Sequence, residues 1–534
     1  MSSTSPRGLR DRRRVVEKRL RALGRPRAAH RAPPPDGRLS PGEQSGARLH
    51  TALEDLGPVF VEFGRYLSSR VDLIPRRDCM ELAATGQRAE IRSPSDVGTL
   101  VRKQLGEARA RGFVALDLSP RAITRWTQQH DAWLASGEAV AVTLVRPDAD
   151  LLLDTDLLLL GLVTPWLDAP ADAITAAIDD FSLTLRRRLD KSKQAAAFTK
   201  LFEDAQAGGT LDAPQCYGDY CTPGMLTSER IEGVSLAQAL DGDAGGPATT
   251  VIDREAVARQ LASAWMRQVV SGTVVPFDFG LNDLRLRDDR LVLVGGALVS
   301  VTATERAQFL DYLVAAAAED PEAAWPWISS AVAPASGAQQ QDELRRRLRQ
   351  AVPFRDGEWS GDDRLAEQAL VQWRATRLAG WKALPHPLHL YRGIHAVSAV
   401  TTRLAPEFDT LRNALEEERL RLAFTEAERL LEPRTAAKLE TLVPDVLDLP
   451  RRLDEILTRA ADGKLRVKVH VPDTDDRREA RNRTISFVAS LVTLVALTFL
   501  VRHLSPAFGA NMEPLGAVLV LVVGGWLLLA ASRL

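Results

Sequence analysis

Ala139-Val140-Ala141-Val142-Thr143-Leu144-Val145 sets the reading of the chain around it. It is a run of small and β-branched residues without a charge, closed by Arg146-Pro147-Asp148, and reads as a strand ended by a turn. Upstream, residues 49–110 read as helical, with Leu53, Leu56, Phe60, Phe63 and Leu67 at helical spacing. Downstream, 171–207 return to helical periodicity, and Met225–Ile231 reads as a strand followed by Glu232-Gly233. Arg254–Val270 is then a helix ended by Ser271-Gly272. Short β runs follow at Asp283–Leu286 and Arg290–Val294, split by Arg287-Asp288-Asp289. From Thr302 to about Leu457 the signal is helical, with breaks near Pro334 and Pro385. Strands early and helices late predict an α+β core with a helical extension. Leu151–Leu167 is apolar but interrupted by Asp154, Asp156, Thr164 and Pro165, so it reads as a buried helix or helix start.

The chain has 534 residues, 45% of them hydrophobic, with Lys+Arg 69 against Asp+Glu 70. That length exceeds one compact domain, and the apolar content excludes a wholly disordered chain. A net charge of −1 argues against nucleic acid as a partner of the whole chain. Three cysteines, Cys79, Cys216 and Cys221, cannot build a disulfide scaffold, and Cys216-x4-Cys221 lacks the other ligands of a zinc site.

The two ends depart from the average. Arg7, Arg10, Arg12, Arg13, Arg14, Lys18, Arg19, Arg21, Arg25, Arg27 and Arg31 meet only Asp11, Glu17 and Asp36. This stretch reads as a solvated, mostly disordered tail, or as one that docks on anionic lipid. It has no apolar h-region, so it is not a secretory signal peptide. At the other end, Ile485–Val501 and Leu515–Ala531 are uncharged runs of about 17 residues each, at the short end of a bilayer-spanning helix. Their connector, Arg502–Pro514, is rich in turn formers, so the pair reads as a transmembrane helical hairpin. Arg477, Arg478, Arg481 and Arg483 crowd the entry side and predict both termini on the cytoplasmic side. The alternative is a buried helical pair in a soluble core. Gly524-Gly525 permits close helix approach, either within the hairpin or in a homodimer.

This order of elements, from about residue 50 to the C-terminus, resembles the UbiB/AarF family of atypical, protein-kinase-like membrane proteins. Leu56-Gly57-Pro58-Val59-Phe60, then Gly64 and Leu67-Ser68-Ser69-Arg70-Val71-Asp72-Leu73-Ile74-Pro75, looks like the family's opening motif. His130-x-Ala132, Gly137 and Val140-Ala141-Val142 match its second N-lobe strand and its lysine-bearing strand. Glu229–Leu236 matches the hinge, and Leu449-Pro450-Arg451-Arg452-Leu453 with Gly463-Lys464-Leu465 the segment before the hairpin. The resemblance implies an α+β, two-lobed kinase-like fold with helical extensions and the membrane hairpin. After the basic disordered tail that composition suggests over 1–48, it implies a helical extension over 49–110 and a kinase-like core over 111–335, with the N lobe ending near 236. A helical C-terminal extension over 336–476 and the hairpin over 477–534 complete it.

The chemistry departs from the family. Phosphoryl transfer needs a phosphate-binding lysine, a metal-binding Asp, an Asn and an Asp near the attacking oxygen. The family's Lys-x-Gly-Gln reads Glu62-Phe63-Gly64-Arg65, inverting one charge. Its Ala-rich nucleotide loop reads Thr124-Arg125-Trp126-Thr127-Gln128, and its strand lysine is Thr143. The Glu and Asn of its Glu-Ala-x-Asn segment fall on Gln194 and Ala197. Its Asp-Pro-His-Pro-Gly-Asn loop reads Phe277-Asp278-Phe279-Gly280-Leu281-Asn282, and its Asp-Phe-Gly reads Gly295-Gly296-Ala297. What remains is a vestigial nucleotide pocket at Asn282, Thr143 and Gly295, with no catalytic residue, no metal ligand and no cofactor expected.

The expected function is therefore that of a membrane-anchored pseudokinase, a regulatory or lipid-handling scaffold beside isoprenoid-quinone or other lipid metabolism, with isoprenoid lipid as a partner. The alternatives are a divergent ATP/Mg-dependent kinase or ATPase using displaced residues such as Asp278, and a membrane-tethered interaction protein with an empty pocket. Asp288 and Asp289 read as solvent-facing turn residues. His386, His389 and His395 fit no zinc signature and read as ordinary surface or capping residues, and Trp359, Trp373 and Trp381 as core.

Overall fold

The computed structural model describes residues 6–23, 45–83, 85, 96–208, 211–242, 252–287, 290–334, 341–351 and 363–431. The chain divides into two units, Met1–Arg429 and Leu430–Leu534, and nearly every described residue lies in the first. The predicted hairpin, with 485–501 and 515–531, lies outside the described residues, as do Asp288, Asp289, Trp359 and the segment around Leu449. No helix among the described residues is long and apolar enough to cross a membrane.

Five helices come first: α1 (Pro6–Arg21), α2 (Ser45–Leu56), α3 (Pro58–Ser68), α4 (Arg76–Leu82) and α5 (Val97–Ala110). The expectation of a disordered segment over 1–48 is corrected at α1. Arginine-rich composition hides a stripe of Leu9, Val16 and Leu20 on one helical face, and Val16 and Leu20 are 0% and 1% exposed. On the same side Arg12 forms a bidentate pair with the buried Asp156, at 2.8 and 2.9 Å.

The N lobe is an antiparallel sheet of β1 (Phe113–Leu116), β2 (Ala122–Ile123), β3 (Thr127–Leu134), β4 (Ala139–Val145) and β5 (Met225–Glu229), the last set off in sequence by helices. Its order is β1-β3-β4-β5, with β2 pairing β3. Strand alternation turns Val140, Val142 and Leu144 toward Val97, Val101 and Leu105 of α5, which closes a small core on that face. Thr143 is thereby left on the opposite face. Between β4 and β5 run α6 (Ala149–Asp156), a 3-10 helix at Leu157–Trp166, α7 (Ala171–Leu189) and α8 (Lys191–Gly208).

The C lobe begins with α9 (Leu236–Gly242) and α10 (Arg254–Ser271), followed by β6 (Val274–Asp278), β7 (Leu284–Arg287), β8 (Arg290–Leu293) and β9 (Ala297–Ser300). β7 and β8, the two short β runs read from the sequence, pair antiparallel, and β6 pairs with β9. Then come α11 (Ala303–Ala317), α12 (Pro321–Ala331), β10 (Val332–Pro334), α13 (Gln341–Arg349), α14 (Arg364–Leu378), β11 (Trp381–Ala383), α15 (Pro385–Leu404) and α16 (Thr410–Leu431). The breaks near Pro334 and Pro385 are a two-stranded pair, β10 with β11, and the start of α15.

The packing of α15 positions the site. Trp265 of α10, 0% exposed, donates its indole N–H to the Pro276 carbonyl of β6 at 3.0 Å. A Cβ at Gly393 would stand 3.0 Å from that carbonyl oxygen and from the Trp265 ring. Glycine there lets α15 lie directly on β6, which brings Arg392 against Phe277 and Asp278. Trp373 and Trp381 are core residues, as read from the sequence.

Candidate functional site

The hinge is held to β7. Glu229 accepts from Arg287 at 2.7 Å, and the Gly233 carbonyl accepts from Arg285 at 2.7 Å. Gly233 has φ +99°, and a Cβ there would meet the Leu286 carbonyl oxygen at 2.1 Å, so only glycine fits this crossing.

Behind the hinge, Thr143 is half-buried on β4 and accepts from the Gln129 side chain at 3.3 Å. The first turn of α8 is tied to the glycine pair after β8, where Gln194 donates to the Gly296 carbonyl at 3.5 Å. Gln194 in turn accepts from the Lys191 ammonium at 2.7 Å. Lys191 is 6% exposed. Burial and the nearby Arg188 cation push its pKa down to about 7, with Asp283 opposing.

Asp283 ends the 3-10 turn Leu281–Asp283 and accepts from the Gly280 N–H at 3.0 Å. A Cβ at Gly295 would lie 2.2 Å from its Oδ1, so Asp283 fills the space a side chain at 295 would need. Burial raises the Asp283 carboxyl above its ordinary range, against the pull of Arg188 and Arg65. Asn282, one residue earlier, is exposed. Sequence reasoning passed over two groups here, Asp283 beside Gly295 and Lys191 beside Gln194. Only their burial distinguishes them from surface charges.

Phe277, which the family resemblance sets at the catalytic position, is 4% exposed and stacks on His389 with ring centroids 4.2 Å apart. His389 is therefore a core residue and not a surface one, and burial lowers its pKa despite Asp180, 3.6 Å away. His395 is also enclosed, and burial lowers its pKa to about 3. Asp278 is held between Arg392 at 3.5 Å and Arg188 at 3.6 Å. Burial alone would raise its carboxyl, but Arg392, Arg188 and Arg65 outweigh it and keep Asp278 ionised. The displaced base of the alternative reading is thus pinned by two cations. The inverted charge at Glu62 also finds a partner, because Arg188 donates to it at 3.0 Å. The opening motif docks further: Tyr66 donates to Asp180 at 2.9 Å, and Arg392 donates to Ser69 at 3.2 Å.

No group of three or more His, Cys, Asp or Glu side chains among the described residues could hold a metal ion. Burial pushes the Cys79 and Cys216 thiols up to about 12, so neither is a ready thiolate.

An ABC1 atypical kinase-like domain matches residues 85–325. A probable protein kinase UbiB from Pseudomonas entomophila is 36% identical over 196 residues, which is 36% of this chain and 36% of that protein. Its counterpart from Pseudomonas putida is 36% identical over 203 residues, 37% of this chain and 38% of the other. Residues 85–325 thus match an atypical kinase-like domain, and about 200 residues of the chain are similar to UbiB proteins. The matched segments span little more than a third of the length of these curated relatives. Among solved structures, the Rv3197–erythromycin complex from Mycobacterium tuberculosis aligns at a TM-score of 0.35 and 16% identity, covering 59% of this chain and 83% of that one. The sheet order, the hinge and the family match together make the described fold a kinase-like α+β fold.

Proposed function

We propose that this chain is a UbiB/AarF member and a membrane-tethered scaffold in which the kinase-like cleft does not carry phosphoryl transfer. The observation that carries the reading is the catalytic position itself. Phe277 is stacked on His389, and the adjacent Asp278 is fixed between Arg188 and Arg392. A general base must be able to take the proton, and the two guanidinium groups 3.5–3.6 Å from the Asp278 carboxylate leave it weakly basic. Thr143 supplies no cation for phosphate, and each missing electrostatic donor of this type removes roughly 100–1000-fold in rate. The family resemblance makes a regulatory or lipid-handling role beside isoprenoid-quinone or other lipid metabolism the best-supported one.

A second reading has its own observation. Asp283 stands beside Gly295 and Lys191 beside Gln194, so an amine and a carboxyl lie next to two of the positions where the kinase groups are missing. Against it, burial drives both groups toward their neutral forms, which serve phosphate and magnesium poorly. Purified protein should show no magnesium-dependent ATP hydrolysis above a no-protein blank. Gly295→Asp should not restore it, because Asp283 already fills that space. Turnover by the wild type that Asp283→Asn abolishes would establish the second reading instead.

Tethering rests on the runs at 485–501 and 515–531, with both termini cytoplasmic. Full-length protein should stay in the membrane fraction through carbonate washing and require detergent. Recovery in the soluble fraction would remove the hairpin from the proposal. The exposed Arg10, Arg13, Arg14 and Lys18 of α1 offer a further contact with anionic lipid, at about 1 kcal/mol per basic residue. A chain ending before Arg477 should therefore keep a salt-sensitive attraction to anionic vesicles, and equal binding to neutral vesicles would deny it.

A further inference from the structure

Between α3, α7, β6 and α15 lies a small crevice, part of it open to solvent. Three guanidinium groups from three separate helices line it: Arg65, Arg188 and Arg392. They face two carboxylates, Glu62 and Asp278, so the crevice carries an excess positive charge.

The pairs inside it are mostly loose. Arg65 stands 3.7 Å from Glu62, Arg188 3.6 Å from Asp278 and Arg392 3.5 Å from Asp278. Charge-assisted hydrogen bonds are normally about 2.7–2.9 Å. Only Arg188 to Glu62, at 3.0 Å, approaches that length. Arg392 is 4% exposed, and its Nη1 has no hydrogen-bond partner. A buried guanidinium N–H left without an acceptor is costly, and an acceptor entering the crevice would relieve that cost. Tyr66 lies 4.9 Å from the Arg392 guanidinium and, with Phe181 and Leu185, supplies the apolar part of the wall. There a hydrogen bond to an anion is stronger than in bulk water.

We propose that this crevice binds a small oxyanion of the phosphate class, gripped by Arg65, Arg188 and the free Nη1 of Arg392. Guanidinium groups approaching from three directions suit a tetrahedral, multiply charged group better than a planar carboxylate. Glu62 and Asp278 orient the arginines, and the ligand offsets the remaining positive charge. The same chemistry is carried by free phosphates and by the phosphate end of a lipid. The crevice shares Asp278, Arg188 and Arg392 with the position on which the proposed function rests, and the inference uses neither Lys191 nor Asp283.

The test is thermal unfolding of full-length protein in detergent without magnesium, titrated with inorganic pyrophosphate, with dihexanoyl phosphatidic acid, and with sodium chloride at matched ionic strength. One or both phosphates should raise the melting temperature saturably where chloride does not. The tighter of the two identifies the source. Arg65→Gln leaves the Arg188–Glu62 bond in place and should weaken the interaction about tenfold or more. Arg392→Lys, which removes Nη1, should do the same. If Arg392→Lys fails to fold, Arg65→Gln decides alone. No saturable shift with either phosphate overturns the proposal. So does binding that survives Arg65→Gln but is lost in Lys191→Met, which would place the anion in the nucleotide cleft.

Discussion

Arg188→Met should destabilise the fold by about 3 kcal/mol, the low end for breaking a buried ion pair because Arg188 is 23% exposed. Methionine fills much of the space but leaves Glu62, 7% exposed, without its hydrogen-bonding cation. It also leaves Asp278 with Arg392 as its remaining close cation, at 3.5 Å. Chemical unfolding of wild type and variant measures the loss. Glu62→Lys, which restores the family's charge at this position, should be harmful alone because it sets a cation against Arg188. Combined with Arg188→Glu it should recover only part of the loss, since the new carboxylate then faces Asp278. A cost below about 1 kcal/mol for Arg188→Met would mean that solvent screens this network as it does a surface pair.

Lys191→Met should remove a pH dependence of stability that the wild type shows above neutrality. The folded pKa of Lys191 is lowered to about 7 from 10.5. Between those values the unfolded chain keeps the proton and the folded chain has lost it. The unfolded state then binds more protons, so stability rises with pH through that window. The Cys79 and Cys216 thiols, raised from 9.0 to about 12, impose the opposite slope above pH 9. The clean interval is therefore pH 7 to 9. Across it the wild type should gain on the order of 2–3 kcal/mol relative to Lys191→Met. The variant should also be the more stable of the two at pH 7, where a buried amine is still partly charged. Identical slopes for the two proteins would show that Lys191 titrates as a solvated lysine and that the cleft is wetter than its packing indicates.

Elements with strong local patterning were legible from the chain alone. β4 is an uncharged β-branched run, α10 has clear helical spacing with a glycine stop, and β7 and β8 alternate around a charged turn. Each is specified by neighbours in sequence, and periodicity reports such neighbours directly. β6 and β9 were not read as strands. Val274–Asp278 is short and contains Pro276, and its partner Ala297–Ser300 follows an intervening hairpin, so pairing and not propensity makes both of them strands. The helix α1 was concealed for a different reason. Its charge composition resembles that of a disordered tail, and its apolar stripe matters only once Asp156 and the core are there to receive it.

The sequence by itself determined the order of helical and β segments and where Thr143, Phe277 and Gly295 depart from the kinase motifs it resembles, because those are statements about residue type at a position. Only the tertiary structure decided what replaced them. Glu62 meets Arg188 across 126 residues. Asp283 fills the space beside Gly295. Lys191 becomes a buried amine against Gln194. Protonation state and pairing depend on burial and on which charges lie within a few ångströms, and both arise only when distant segments pack together.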